Sequence, residues 1–204
     1  MKRCFREPIP ELFDAARYLD AALSAHLVGR TKLSYELIEL ADMPVIREWT
    51  ESIWGARSPY VTIDTSVVAS RKRPPIAVQA QRMPSNAQKE ELRLRDGYHC
   101  RFCHIPVVRS EIRAALKKLY PDALKWGQRN NEQHAALQAM WLQYDHVLPH
   151  AYGGDNNLEN LVVTCAPCNF GRNSYSLAEA GLEDPRDNPP IHSWWDGLER
   201  LLQA

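Results

Sequence analysis

Two pairs of cysteines have the spacing of a metal site: "CRFC" at Cys100 and Cys103, and "CAPC" at Cys165 and Cys168. Two residues between cysteines let a tight turn present both thiolates to one ion, and two such pairs make the tetrahedral four-sulfur site typical of structural zinc. A closed site has no position for water, so this zinc is expected to stabilise the fold and not to catalyse. The alternative is four reduced, buried cysteines without a metal.

The segment "YDHVLPHAYGGDNNLENLVVTCAPCNFGR" contains Asp-His, Pro, Gly-Gly, Asn-Leu and then the second cysteine pair with Asn and Arg behind it. With "RDGYHCRFC" as its upstream part, this order strongly resembles the HNH endonucleases. The resemblance covers about residues 95–177 and leaves the first 85 or so residues outside. It implies a nuclease with the ββα-metal (His-Me finger) fold and one catalytic divalent ion.

The resemblance assigns roles to four polar residues. Asp145 and Asn169 correspond to the ligands of the catalytic ion, and their oxygen atoms fit Mg²⁺ or Mn²⁺ better than Zn²⁺. His146 corresponds to the general base, since imidazole titrates near neutral pH and can accept a proton from water. Asn160 corresponds to the middle asparagine, which braces the loop between the strands and helps to orient the histidine.

Three further residues are candidates for contacts with DNA. Arg172 stands where a lysine is often found in the family, and arginine suits a bidentate phosphate contact. His150 either approaches the phosphate or the ion across the loop, or is a surface histidine. Arg101, between the first two cysteines, either reaches the DNA backbone or is a solvated surface arginine.

These residues must be positioned by a small α+β core. We expect a strand at 144–147, a loop in which Gly153 and Gly154 supply unusual dihedral angles, and a second strand at 161–164. A helix from about Asn169 then places that residue in its first turn, where free N–H groups also favour a phosphate. Two helices, near 110–121 and 130–143, form an insert whose four basic residues either contact DNA or pack on the fold.

The rest of the chain divides into segments that differ in composition and in hydrophobic periodicity. Residues 1–56 read as a helical region with an amphipathic first helix, a second at 32–41 and a third begun by Asp42 and Pro44. Residues 57–88 are rich in proline, with a β-like stretch and an "RKR" loop that is either solvated or in contact with phosphate. The nuclease domain is placed at 89–180. Residues 181–204 are predicted to dock as a short helix whose two tryptophans pack on the core.

The composition is that of an ordinary globular protein of 204 residues, 45% hydrophobic and 25% charged. Lysine plus arginine equal aspartate plus glutamate at 25 each, so any nucleic-acid site must come from local clustering. No apolar run approaches the roughly 20 residues that cross a bilayer, and the N-terminus lacks the apolar core of a signal peptide. We expect a cytoplasmic protein without membrane contact.

The sequence thus predicts a metal-dependent HNH endonuclease that hydrolyses phosphodiester bonds in DNA, with double-stranded DNA as its partner. A homodimer is compatible with the sequence, which leaves the oligomeric state open. One alternative is a non-catalytic, zinc-stabilised module that binds nucleic acid. Another is an interaction protein whose N-terminal helices bind a partner while the zinc domain serves as a scaffold.

Overall fold

The computed structural model describes residues 1–54, 58–67 and 83–203. The elements in this part of the chain are helices α1 (Pro10–Leu27), α2 (Thr31–Leu40), α3 (Pro44–Trp54), α4 (Asn86–Asp96), α5 (Ser110–Leu119), α6 (Ala135–Ala139), α7 (Ala166–Arg172) and α8 (Leu177–Ala180), and strands β1 (Leu142–His146) and β2 (Leu161–Cys165). No helix among the described residues is long and apolar enough to cross a bilayer.

The three predicted N-terminal helices are present, and each begins within two residues of its expected start. Proline occupies the first position of α1 and α3, where its fixed φ suits a helix and its missing N–H costs nothing. The apolar stripe of α1 is buried against α2, with Leu12, Leu19 and Leu23 at most 1% exposed. Local spacing is therefore enough to predict this region.

These helices share one hydrophobic core with the cysteine-containing region. Helix α3 packs on α6 and α7, and Ile46, Trp49 and Ile53 on its inner face are at most 1% exposed. The indole N–H of Trp49 donates to the Glu7 carbonyl oxygen at 2.9 Å, which fixes the first residues against α3. The N-terminal helices therefore form the wall behind α7.

The segment between α3 and α4 departs from its prediction. Where the β-like pattern overlaps the described residues 58–67, there is no strand, and only a 3-10 turn at Thr65–Val67 is regular. The "RKR" cluster lies outside the described residues. The chain is described again from Met83, and Ser85 then caps α4 by accepting from the Gln88 backbone N–H at 3.3 Å while the Gln88 side chain accepts from the Ser85 N–H.

The insert packs on the fold, and its second predicted helix is much shorter than expected. Helix α6 covers only five residues, preceded by a 3-10 turn at Asn130–Glu132. The backbone N–H of Val108 donates to the Met140 carbonyl at 2.7 Å, and that of Leu142 donates to the Val108 carbonyl at 2.9 Å. These long-range bonds draw the chain into β1 and override the helical pattern of "ALQAMWLQ".

Strands β1 and β2 form an antiparallel pair in which Asp145 faces Val162 and His146 faces Leu161 across the ladder. Strand β1 begins two residues before the predicted start, and β2 ends at Cys165. Helix α7 follows without a connecting loop and begins at Ala166, three residues before the predicted start. Cys165 immediately precedes α7, Cys168 lies in its first turn, and Asn169 follows Cys168 directly.

The C-terminal segment docks as predicted, but only part of it is helical. A 3-10 turn at Glu199–Leu202 replaces the expected helix. Trp195 is 3% exposed, and its indole N–H donates to the Val107 carbonyl at 3.0 Å, whereas Trp194 is 59% exposed. Core packing is therefore correct for Trp195 and wrong for Trp194.

Candidate active site and metal centre

The fold brings the two cysteine pairs together into one cluster. Cys100 and Cys103 lie in the turn after α4, Cys165 ends β2, and Cys168 lies in α7. All four side chains are buried, none is in a disulfide, and their sulfur atoms lie within 4.8 Å of one another. Cys103 Sγ lies 3.5 Å from Cys165 Sγ. This arrangement could hold a metal ion.

The geometry and the electrostatics of the cluster both fit zinc. Four sulfurs at about 2.3 Å from a tetrahedral zinc lie about 3.8 Å apart, which is close to the separations seen here. Burial raises the pKa of the Cys103 and Cys165 thiols above the ordinary value, because a thiolate is poorly solvated in this position. Several thiolates can share this space only if a cation lies between them.

A buried carboxylate fixes the first cysteine turn against β2. Asp96, at the end of α4, is fully buried and accepts from the Val163 backbone N–H at 2.9 Å and from Arg101 Nη1 at 2.6 Å. Arg101 also donates to the carbonyls of Pro185 and Asn188. The predicted DNA contact of Arg101 is therefore wrong in this arrangement, because its guanidinium is buried and its donors are used within the protein.

A cleft of about 940 Å³ is lined by residues of β1, of α7 and of the loop between the strands. Its lining includes every predicted residue of the catalytic centre except Asn160, namely Asp145, His146, His150, Asn169 and Arg172. Asp145 and His146 come from β1, and Asn169 and Arg172 come from α7. The cysteine cluster and this cleft thus share α7 and the paired strands, since Cys165 ends β2 and Cys168 lies in α7.

Asp145 and Arg172 form a buried ion pair at the base of the cleft. Arg172 Nη2 donates to Asp145 Oδ1 at 2.5 Å, and Arg172 Nε donates to Asp145 Oδ2 at 3.0 Å. The guanidinium also donates to the carbonyls of His146 and Tyr175. Burial raises the pKa of the Asp145 carboxyl above its usual value, and the charge of Arg172 opposes that rise.

The predicted phosphate contact of Arg172 is therefore wrong for this arrangement. The side chain is 1% exposed and links α7 to β1, so no donor pair faces the cleft for a phosphate. From the sequence alone, an arginine that follows a metal-ligand pattern is expected to be an exposed cation. Its carboxylate partner lies on another element, and neither spacing nor composition reveals the pairing.

His146 is 9% exposed and is held by an asparagine that the sequence interpretation missed. Its Nε2 lies 2.8 Å from Asn156 Oδ1 in the loop between the strands. The centroid of the His150 ring, from a 3-10 turn of the same loop, lies 6.1 Å from that of His146. The run "DNNLEN" contains three asparagines, and only the loop geometry distinguishes Asn156 from its neighbour Asn157.

Asn160 braces the loop but does not contact His146 through any bond seen here. Its Oδ1 accepts from the Leu148 backbone N–H at 2.8 Å, and its Nδ2 donates to the carbonyls of Asp155 and Leu148. Gly153 has the predicted unusual φ, at +89°. Gly154 is needed for space, since a Cβ there would lie 1.8 Å from the Leu148 carbonyl oxygen. Asn160 thus bonds to the loop that carries Asn156, and Asn156 makes the direct bond to the His146 ring.

The donors in the cleft fit a hard divalent ion in type. A carboxylate from Asp145 and the amide oxygen of half-buried Asn169 are the ligands that Mg²⁺ or Mn²⁺ prefers, with several waters retained. Arg172 already neutralises Asp145, so an ion bound here shares the carboxylate with the guanidinium. Sharing is compatible with carboxylate chemistry, because each oxygen has a second lone pair.

Residues 130–174 match the family model described as HNH endonuclease. Neither a curated protein nor a solved structure matches the chain. The matched segment contains α6, β1, β2 and α7, with both residues of the second cysteine pair and every residue predicted to act at the catalytic ion. It supports a nuclease-type function and a nucleic-acid substrate. The region of the chain that supplies most of the cleft is therefore similar to the HNH endonuclease family.

Proposed function

We propose that the protein is a metal-dependent HNH endonuclease that hydrolyses phosphodiester bonds in double-stranded DNA. The observation that carries this proposal is the cleft in which β1 and α7 present Asp145, His146 and Asn169 together, within the segment that matches the HNH family. On this proposal, β1, β2 and α7 are the three elements of a ββα-metal core.

His146 is the general base in this proposal. It removes a proton from the water that attacks the phosphorus, and such proton transfer contributes about 10²- to 10⁴-fold to a rate. Its position is suited to the task, because β1 fixes its backbone and Asn156 fixes its ring. Asn160 contributes indirectly by holding the loop that carries Asn156.

Asp145 and Asn169 are the residues that would hold the divalent ion. When bound, such an ion stabilises the charge that develops on the leaving oxygen. Arg172 keeps Asp145 in place on β1 through two bonds to its carboxylate. We assign Arg172 a structural role at the site and no contact with the substrate.

Structural zinc is the proposed occupant of the four-cysteine cluster. Cys165 and Cys168 flank the junction of β2 and α7, so an ion held there sets where α7 begins. Asn169 follows Cys168 directly in the same helix. The zinc thereby positions a ligand of the catalytic ion without taking part in the reaction.

The second candidate is a zinc-stabilised module that binds nucleic acid without cutting it. The Arg172–Asp145 ion pair favours this alternative, because a guanidinium that satisfies the carboxylate reduces its attraction for a cation. The hydrogen bond that orients the His146 ring favours the enzyme, since a module that only binds nucleic acid does not need an oriented general base.

Plasmid cleavage separates the two candidates. Purified protein with Mg²⁺ or Mn²⁺ is compared with His146→Ala, with His192→Ala as a control at an exposed histidine outside the cleft. The enzyme predicts nicking or linearisation that is lost in His146→Ala and kept in the control, with DNA binding retained by all three proteins. Binding by all three without cleavage by any would support the module.

A further inference from the structure

We propose that Asn156 is a positioning residue that fixes the tautomer of His146, so that Nδ1 is the ring nitrogen that accepts the proton from water. This inference rests on the proposed function for its role in cleavage. It concerns a residue outside the four positions that the HNH resemblance assigns. The evidence is a set of hydrogen bonds that joins the start of α4 and Met83 to Asn156, and Asn156 to the histidine ring.

The orientation of the Asn156 amide follows from its second partner. Asn156 Nδ2 donates to the carbonyl oxygen of Met83 at 3.3 Å. A carbonyl can only accept, so the NH₂ group must face Met83 and the amide oxygen must face His146. The alternative flip would place the amide oxygen against the Met83 carbonyl oxygen and the NH₂ group against His146, losing the bond to Met83.

The amide oxygen then decides which ring nitrogen has the proton. Asn156 Oδ1 lies 2.8 Å from His146 Nε2, and it can only accept, so Nε2 must carry the hydrogen. In a neutral imidazole the other nitrogen, Nδ1, then has the free lone pair. If the proton were on Nδ1 instead, the lone pairs of His146 Nε2 and Asn156 Oδ1 would face each other at 2.8 Å. Nδ1 would then have no lone pair with which to accept a proton from water.

The loop position of Asn156 is itself fixed from α4. Gln88 Nε2 donates to the Asn156 backbone carbonyl at 2.7 Å, and the same Gln88 side chain accepts from the Ser85 backbone N–H at 2.9 Å. Asn156 is thus held at its backbone by the N-terminal turn of α4 and at its side chain by Met83, three residues before that helix begins. Helix α4 ends at Asp96, shortly before the first cysteine pair, so these bonds link the position of the histidine ring to the element that leads into the cysteine cluster.

The direct test is long-range proton–nitrogen NMR of the His146 ring in metal-replete protein labelled with ¹⁵N-histidine. We expect wild-type His146, in its neutral form, to be held as the Nε2–H tautomer. Asn156→Ala should give a mixture of tautomers, whereas Asn156→Asp should keep Nε2–H because its carboxylate also accepts. Asn157→Ala is the matched control, since that neighbour is exposed and its side chain bonds only to Asp155 among the described contacts.

Cleavage gives a second readout that a merely structural residue would not produce. Since a general base contributes about 10²- to 10⁴-fold, loss of its alignment should lower kcat in Asn156→Ala about tenfold to a hundredfold with little change in KM. In the His146→Ala background, the same substitution should have no further effect. A residue that only supports the loop would lower the residual rate in both backgrounds.

The two proposals fail in different ways. A wild-type ring with its proton on Nδ1, or an unchanged tautomer in Asn156→Ala, overturns the role of Asn156 whether or not the protein cuts DNA. If Asn156→Ala does not fold, the wild-type and Asn156→Asp spectra still decide the tautomer. An Nε2–H ring in a protein that never cleaves DNA overturns only the nuclease proposal.

Discussion

The cysteine cluster and the cleft draw on the same strand pair and helix, yet they are built in different ways. The cluster consists of four identical residues, all buried, whose only requirement is to converge on one point. The cleft combines side chains of several types, and two of them have partners of their own: Asp145 has Arg172, and His146 has Asn156. A closed metal site can be specified by spacing, whereas a reactive site needs separate support for each group.

This difference predicts separable losses. Changes in the cluster should remove the fold and the activity together. Changes in the cleft should alter one property at a time, because the residues there differ in type and task. The following substitutions test that separation, from the largest expected effect to the smallest.

Cys165→Ser should abolish zinc binding and cooperative folding together. Structural zinc contributes about 10–16 kcal/mol of apparent binding free energy in small domains, which exceeds the net stability of most domains at about 5–15 kcal/mol. Zinc content by mass spectrometry and thermal unfolding check this. The control is Cys4→Ser, since Cys4 is buried outside the cluster. A Cys165→Ser protein that unfolds cooperatively and cuts DNA would contradict the structural-zinc proposal.

Arg172→Met should lower the free energy of unfolding by about 3–5 kcal/mol, because it leaves the Asp145 carboxylate buried without its partner. Urea unfolding measures the loss. Arg186→Met is the matched control, since Arg186 pairs with Asp184 near the surface and such pairs contribute at most about 1 kcal/mol. Equal losses in the two variants would show that the Arg172–Asp145 pair is not the support for β1 that its geometry indicates.

Asn169→Ala should lower cleavage about tenfold to a hundredfold and raise the Mg²⁺ concentration needed for half-maximal activity, through loss of one ion ligand. Zinc content and the melting temperature should stay unchanged, because the side chain is half-buried in the cleft and not in the core. Ser174→Ala, at another residue that lines the cleft, is the control. An unchanged Mg²⁺ dependence would remove Asn169 from the ion site.

His134→Gln should have the smallest effect on cleavage and should weaken the dependence of stability on acid. His134 is fully buried where α2 meets the insert, and its Nε2 lies 2.9 Å from the Ile38 carbonyl oxygen. Burial lowers the pKa of this imidazole. The unfolded chain then binds a proton more readily than the folded one, so stability falls as pH drops below the unfolded pKa of about 6.5. Urea unfolding from pH 7.5 to 5 should show a shallower decline in His134→Gln than in the control His192→Gln.

The sequence predicts those parts of the fold and the cleft that depend on local pattern. The cysteine pairs converge as predicted, the N-terminal helices follow their apolar spacing, and the strands lie within two residues of their expected bounds. Arg101 and Arg172, which the sequence offers as candidates for DNA contacts, are both buried. Their burial depends on Asp96 and Asp145, which only tertiary packing brings into contact with them.

The direct partner of the His146 ring cannot be identified from the sequence for a related reason. The motif offers several asparagines within a few residues, and each could in principle reach the ring. The side chain of Asn160 bonds to the loop backbone instead. Hydrogen bonds with Met83 and Gln88 orient Asn156 toward the ring. Those contacts come from a segment more than sixty positions earlier in the chain, so no local reading of the motif contains them.

The most direct test of whether the structural zinc site and the catalytic cleft are separate measures the zinc content and the DNA cleavage of the same sample. Protein dialysed into metal-free buffer should retain one zinc per chain and fail to cut plasmid DNA, and Mg²⁺ alone should restore cutting while the zinc content stays constant. Cleavage by the zinc-loaded protein without Mg²⁺ or Mn²⁺, or recovery only when zinc is added, would contradict the assignment of a structural cluster and a separate catalytic cleft.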